Sequence, residues 1–118
     1  MTKEAFMKAI QRLKEVELTV TGRKSGRSIS TPVWFVQEAD KLYLLPVTGS
    51  DSSWYRNVVA KPTISLAAKG EKLSAQAKTV TDSKKVKEVV EKFRAKYGAG
   101  EIRKYYSKFD VCVEVTLD

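Results

Sequence analysis

Histidine is absent from this 118-residue chain, and cysteine occurs once, at Cys112. Without imidazole there is no Ser-His-Asp or Cys-His nucleophile arrangement, no His-ligated zinc, and not the commonest general base near neutral pH. A single cysteine excludes an intrachain disulfide, a Cys-x-x-Cys redox pair and a thiolate zinc site. Cys112 lies in the alternating run Asp110-Val-Cys-Val-Glu-Val-Thr-Leu117. It reads as a structural thiol on a strand, because no histidine exists to activate it. No apolar run approaches the ~20 residues of a membrane span. Met1 to Glu15 is polar and amphipathic and lacks an apolar signal-type stretch, so a cytoplasmic location is expected. Any chemistry the chain performs must come from an imported group, and cofactor-borne hydride or electron transfer fits that requirement.

What is present is charge and alternation. Twenty-two Lys+Arg against 14 Asp+Glu leave a net charge of +8, while 42% apolar residues argue against disorder. The length suits one domain over residues 1–118. No linker, repeat or low-complexity tract divides it. Thr2 caps an amphipathic helix over Lys3 to Glu15, inside residues 1–15, with Phe6, Ile10 and Leu13 at helical spacing. Period two follows through Leu18 and Val20, and then through Ser28 to Glu38, with Ile29, Thr31, Val33 and Phe35 sharing a face. Pro32 inside that stretch requires an edge, a bend or a bulge. Leu42 to Leu45 forms an antiparallel neighbour. Ser53 to Ala60 is a short helix ended by Pro62, and Thr63 to Ala68 and Leu73 to Val80 flank a Gly70-Glu71 turn. Asp82 or Ser83 caps an outer helix over 83–97, striped by Val86, Val89, Val90, Phe93 and Tyr97 and stopped by Gly98 and Gly100. A tyrosine-bearing segment, Glu101 to Phe109, leads into the last strand. This order predicts a mainly β protein with flanking helices, its antiparallel sheet closed or nearly closed into a small barrel. An open antiparallel α+β sheet is the alternative.

Thr21-Gly-Arg-Lys-Ser-Gly-Arg-Ser28 places three cations in eight residues with no acid among them. Guanidinium forks, an ammonium and hydroxyls around a glycine turn suit a phosphate or polycarboxylate tail. A solvated hairpin turn is the simpler alternative. A second cluster, Thr48-Gly-Ser-Asp-Ser-Ser-Trp-Tyr-Arg-Asn57, puts hydroxyls at a helix N-terminus. Trp34 and Trp54 are the only tryptophans, and each adjoins one of these clusters. A flat aromatic ligand with an anionic tail needs that combination; core packing of both indoles and N-capping by Ser52 or Ser53 is the bland reading. Lys84, Lys85, Lys87, Lys92 and Lys96 read as the wet face of the outer helix. Tyr97, Tyr105 and Tyr106 line a pocket mouth or pack in the core.

These residues together, Leu18 to Arg27, Thr31-Pro-Val-Trp-Phe35, Trp54-Tyr-Arg-Asn57 and Lys61-Pro62, resemble the deazaflavin (F420)-dependent nitroreductase and quinone reductase family. That family belongs with the FMN-binding split β-barrels related to pyridoxamine 5'-phosphate oxidase. The resemblance implies an antiparallel split β-barrel, usually a homodimer, binding coenzyme F420 or FMN in a groove. It implies tail contacts from Arg23, Lys24 and Ser25 with Arg27 close by. Thr31, Pro32 and Trp34 run beside the ring system, and Val47, Thr48, Gly49, Trp54 and Asn57 close the other side. Hydride transfer to an organic acceptor such as a quinone or nitro compound would need no protein acid or base; Tyr97, Tyr105 and Tyr106 are the candidate acceptor contacts. The other readings are an FMN-binding protein without strong turnover, and a small-barrel nucleic-acid-binding protein motivated by the basic pI.

Overall fold

The period-two stretches form six strands: β1 (Glu15–Thr21), β2 (Ser28–Glu38), β3 (Lys41–Leu44), β4 (Thr63–Ala68), β5 (Glu71–Val80) and β6 (Cys112–Thr116). Four helices, α1 (Lys3–Ile10), α2 (Ser53–Ala60), α3 (Ser83–Tyr97) and α4 (Ala99–Tyr105), accompany them. In this computed structural model, which describes residues 3–116, the strands close into a barrel in the order β1-β2-β3-β6-β5-β4. Every neighbouring pair is antiparallel, so the open-sheet alternative falls. Thr2, the expected cap, and Leu117, the expected strand end, lie outside the described residues.

Alternation sends Leu18, Leu42, Leu44, Leu66, Val113 and Val115 into the barrel, where all are fully buried. Each such side chain contributes roughly 1.5–3 kcal/mol relative to remaining in water. Phe6, Met7 and Ile10 of α1 join the same core. A second core lies outside the barrel, where the α3 stripe Val86, Val89, Val90 and Phe93 packs on Val36, Tyr43, Leu45 and Cys112. Burial pushes the Cys112 thiol up to about 11, as a structural thiol requires. The Asp82 side chain caps α3 by accepting from the Lys85 backbone N–H. No helix among the described residues is long and apolar enough to cross a membrane.

Four details differ from the expectations. The first helix ends at Ile10, short of Glu15, because two turn hydrogen bonds (Gln11 to Lys8 and Leu13 to Ile10) reverse the chain. Glu15 is already paired with Trp34. Ile29 is 44% exposed while Phe35 on the same face is fully buried, since the start of β2 projects beyond the core. Gly98, at φ +99°, ends α3, but Gly100 sits inside α4, a helix that the tyrosine-bearing segment did not announce. Lys96 lies exposed with the other lysines of the wet face, but its ammonium does not point to solvent: it folds back and donates to the Phe35 carbonyl at 2.8 Å. Pro32 matches the edge expectation. It pairs with Glu17 of β1, while β3 reaches only as far as Phe35, so its missing N–H costs no ladder bond on that side.

Candidate functional site

The basic turn is a hairpin between Thr21 and Ser28, the last pair of β1 and β2. Gly22 donates to the Arg27 carbonyl at 2.8 Å and Gly26 to the Gly22 carbonyl at 2.9 Å. Gly26 adopts φ +72°, a left-handed conformation that glycine takes without strain. A Cβ on Gly22 would lie 2.6 Å from the Ser25 hydroxyl, so a side chain there would turn that hydroxyl away from the Arg27 N–H it accepts from. Arg23, Lys24, Ser25 and Arg27 are exposed, and none of the three cations has an ion-pair partner among the described residues.

Asn57 ties this turn to α2. It is 3% exposed, and its Oδ1 accepts both from the Arg23 backbone N–H at 3.0 Å and from the Arg23 guanidinium at 2.7 Å. The same guanidinium donates to the Ser53 carbonyl at 3.2 Å. Arg23, Lys24, Ser25, Ile29, Ser53 and Asn57 thereby enclose a small pocket of about 190 Å³. Ser52 caps α2 by accepting from the Tyr55 N–H. Ser53 faces the small pocket, while Ser52 and Trp54 face a larger groove, so the first turn of α2 separates the two.

The larger groove holds about 510 Å³. It is lined by β2 from Thr31 to Trp34 and by Val47, Ser52 and Trp54 from the loop and first turn of α2. Tyr105, Tyr106 and Glu101 of the α4 region close one end, with Glu15 and Leu45 below. Trp34 is braced from behind: Tyr97 stacks on it with centroids 4.3 Å apart and planes 9° from parallel, and Tyr105 meets it edge-on at 5.6 Å. Such aromatic pairs add about 0.5–1.5 kcal/mol each beyond burial. The Tyr97 hydroxyl accepts from the Phe35 N–H at 3.0 Å and can donate to the Lys14 carbonyl at 2.6 Å or that of Phe35 at 2.8 Å. Burial pushes Tyr97 up to about 12 and raises Tyr106 further, so both stay protonated near neutrality.

The loop before α2 is locked from outside the groove. Ser107 donates to the Val47 carbonyl, and the Asp110 carboxylate accepts from the Ser50 N–H and hydroxyl. The Ser50 bonds hold Asp110 below the usual carboxylate range. Gly49, at φ +58°, is required here, since a Cβ would sit 2.2 Å from Asp110 Oδ1.

Of the residues anticipated from the sequence, Thr31, Pro32, Trp34, Val47, Trp54, Tyr105 and Tyr106 meet in the groove. Arg23, Lys24, Ser25 and Asn57 meet in the adjoining pocket. Arg27 lies at the outer side of the turn, and Thr48 and Gly49 shape the loop without lining either space. Tyr97 stands behind Trp34, outside the groove. Glu15, Val33, Leu45 and Glu101 were not foreseen; acids on a strand end and on an unpredicted helix carry no local signal of a site. The groove holds hydroxyls and two carboxylates but no histidine or cysteine to form a nucleophile–base pair, and among the described residues no metal-binding cluster forms. It can hold a flat molecule against an indole-lined wall, beside a pocket whose charge is positive.

A family model described as F420H(2)-dependent quinone reductase matches residues 2–118. The solved structure of an F420-H2-dependent reductase (FDR-A) is 25% identical, covering 87% of this chain and 94% of that one, with a TM-score of 0.68. A protein described as a domain-swapped dimer is 22% identical over 96% of this chain and 92% of its own, with a TM-score of 0.69. A protein from Listeria innocua assigned as a pyridoxamine 5'-phosphate oxidase shares only 11% identity, but covers 98% of this chain and 93% of its own at a TM-score of 0.71, a likeness of fold.

Proposed function

Because the chain belongs to the F420H(2)-dependent quinone reductase family and is a deazaflavin-dependent oxidoreductase, we propose that the groove between Trp34 and Trp54 seats the deazaflavin ring and the Gly22–Gly26 turn grips its anionic tail. The observation that carries this is adjacency: a groove walled by two indoles opens beside a pocket bearing an Arg, a Lys and two serines, divided only by one helical turn. The groove volume is that of a small-molecule site. The donor set of the pocket, guanidinium, ammonium, hydroxyls and turn amides, is what phosphate and carboxylate oxygens require.

When bound, the deazaflavin supplies the hydride; everything else is positioning and exclusion of water. Arg23, Lys24 and Ser25 hold the tail, with Arg27 at the rim. Thr31, Pro32 and Trp34 support one side of the ring, and Val47 and Trp54 the other. Asn57 positions Arg23, while Thr48 and Gly49 set the path of the loop. Tyr105 and Tyr106 contact a quinone or another small organic acceptor. No protein acid or base is needed, which accords with a groove that has no histidine. The whole chain works as one such unit, in the cytoplasm, where a lone reduced cysteine needs no partner. Two copies pair so that Ile29 and Val47, both more than two-fifths exposed at the edges of the site, are covered; sedimentation at twofold the monomer mass tests that pairing.

The binding test is a parallel titration of cofactor-free protein with F420 and with FMN, read by tryptophan fluorescence. F420 is expected to bind more tightly. The double substitution Arg23→Ala with Lys24→Ala should weaken F420 about tenfold or more, since a charge-assisted hydrogen bond contributes about 1.5–3 kcal/mol and tenfold is about 1.4 kcal/mol. Unchanged affinity in the double variant would refute the tail assignment.

A further inference from the structure

A separate cleft of about 310 Å³ also reaches Trp34, beside its stacking partner Tyr97, but not Trp54. Its walls come from the connection between α1 and β1, from the end of α3, and from Trp34 and Glu101, which it shares with the groove. A molecule in this cleft therefore abuts the ring site without occupying it. Leu13, Trp34 and Tyr97 give it an apolar and aromatic surface. Arg12, Lys14 and Lys96 supply three positive charges, and among the described residues none of them has an ion-pair partner.

Lys96 is the informative member. Its ammonium sits 3.5 Å from the centre of the Phe35 ring and donates to the Phe35 carbonyl, and among the described residues no carboxylate forms an ion pair with it. Although the residue is exposed as a whole, packing of the ammonium against the Phe35 ring desolvates it and pulls it down to about 8, a shift that a bound anion would oppose. The cleft is also preformed, because the Tyr97 hydroxyl bridges the Lys14 carbonyl and β2. The cleft sets three cations against one acid, the shared Glu101, whereas the groove sets Glu15 and Glu101 against no cation. An anionic substituent is therefore favoured in the cleft and repelled in the groove.

We propose that this cleft binds the anionic end of the electron acceptor, so that the acceptor class is a flat quinone-like molecule bearing a carboxylate or similar anion. The assignment rests on the deazaflavin reading of the groove for the acceptor's place, but its test does not. Anthraquinone-2-carboxylate and the uncharged 2-(hydroxymethyl)anthraquinone have nearly the same shape. Equilibrium dialysis of each against cofactor-free protein, at fixed ionic strength, measures the charge preference without turnover. The carboxylate should bind at least fivefold more tightly. Arg12→Gln, at an exposed position in the connection, and independently Lys96→Met, should each reduce that preference to less than twofold and leave F420 affinity unchanged. With F420H2 present, the kcat/KM ratio of the two acceptors should follow the same pattern.

Equal affinity for the two probes in the wild-type protein would overturn the proposal. So would displacement of neither probe's difference by the variants, or loss of F420 affinity in them, which would make the cleft part of the tail site. Equal probe affinities combined with phosphate binding to the cleft would assign its cations to free anions instead. Failure of F420 to bind while the carboxylate preference persists would count against the deazaflavin reading and leave this cleft's ligand class standing.

Discussion

Replacing Asn57 by alanine removes one buried oxygen that holds two donors of Arg23, one from the backbone and one from the guanidinium. The backbone bond is the costlier loss, because the amide would be left half-buried without a partner. Leaving such a group unsatisfied costs about 1–3 kcal/mol. The guanidinium is exposed and recovers water, so its share is a few tenths to about 1 kcal/mol. The sum, about 2 kcal/mol, corresponds to roughly 8 °C in Tm for a domain of this size. Asn57→Asp separates folding from binding. It keeps an acceptor at the same place, so Tm should stay within about 2 °C by the same scaling. Its carboxylate neutralises Arg23 inside the tail pocket, and the loss of one charge-assisted contact should weaken F420 about five- to tenfold. Differential scanning calorimetry and fluorescence titration of the two variants decide the matter. If Asn57→Asp binds F420 as tightly as wild type while remaining folded, the pocket beside Asn57 does not hold the tail.

Two further perturbations probe the frame around the site. Gly49→Ala places a methyl 2.2 Å from Asp110 Oδ1 at φ +58°, and forcing Asp110 off Ser50 should cost about 2–4 kcal/mol in urea unfolding. A wild-type urea midpoint in that variant would show that the loop can move freely. Lys96, at about 8 in the folded chain against 10.5 when free, leaves the unfolded state binding more protons between those values. Its contribution therefore makes stability rise with pH across the window from about 8 to 10.5. Lysines 41, 85 and 108 are shifted the other way and act above it. Cys112, raised from 9.0 to about 11, and Tyr97, raised from 10.0 to about 12, pull stability the other way in the upper part of the window, so the test is the difference between two proteins. Urea unfolding should have a more positive pH slope in wild type than in Lys96→Met; identical slopes would mean the Lys96 ammonium is fully hydrated.

The barrel was legible because its signals are local. β2, α2 and β4 run between the residues where alternation, a serine cap and Pro62 place their ends. The turn motif was legible for the same reason, since Gly22 to Gly26 is contiguous and its shape follows from two glycines. What was not legible depends on register and on distant packing. α4 buries Ile102 alone of its residues and is bounded by glycine, so it has no stripe to read; α3 and the barrel hold it in place. Lys96 falls at a helix end where the Phe35 carbonyl is within reach, a fact fixed by how α3 crosses β2. Tyr97 continues the apolar stripe, yet its hydroxyl serves three backbone groups that lie on two other segments. Glu15 enters the groove only because it pairs with Trp34, and that pairing follows from the length of the Gly22–Gly26 turn.

The central claim is that this groove carries out hydride transfer from a reduced deazaflavin to a quinone. Its most direct test is anaerobic mixing of the protein with F420H2 and menadione, following the return of the oxidised deazaflavin absorbance. Reoxidation should be saturable in both reactants and at least a hundredfold above the protein-free rate, a difference of about 2.7 kcal/mol in barrel-bound over free reaction. Reoxidation no faster than without protein, from a sample shown to bind F420, would contradict the account and leave a binding protein in its place.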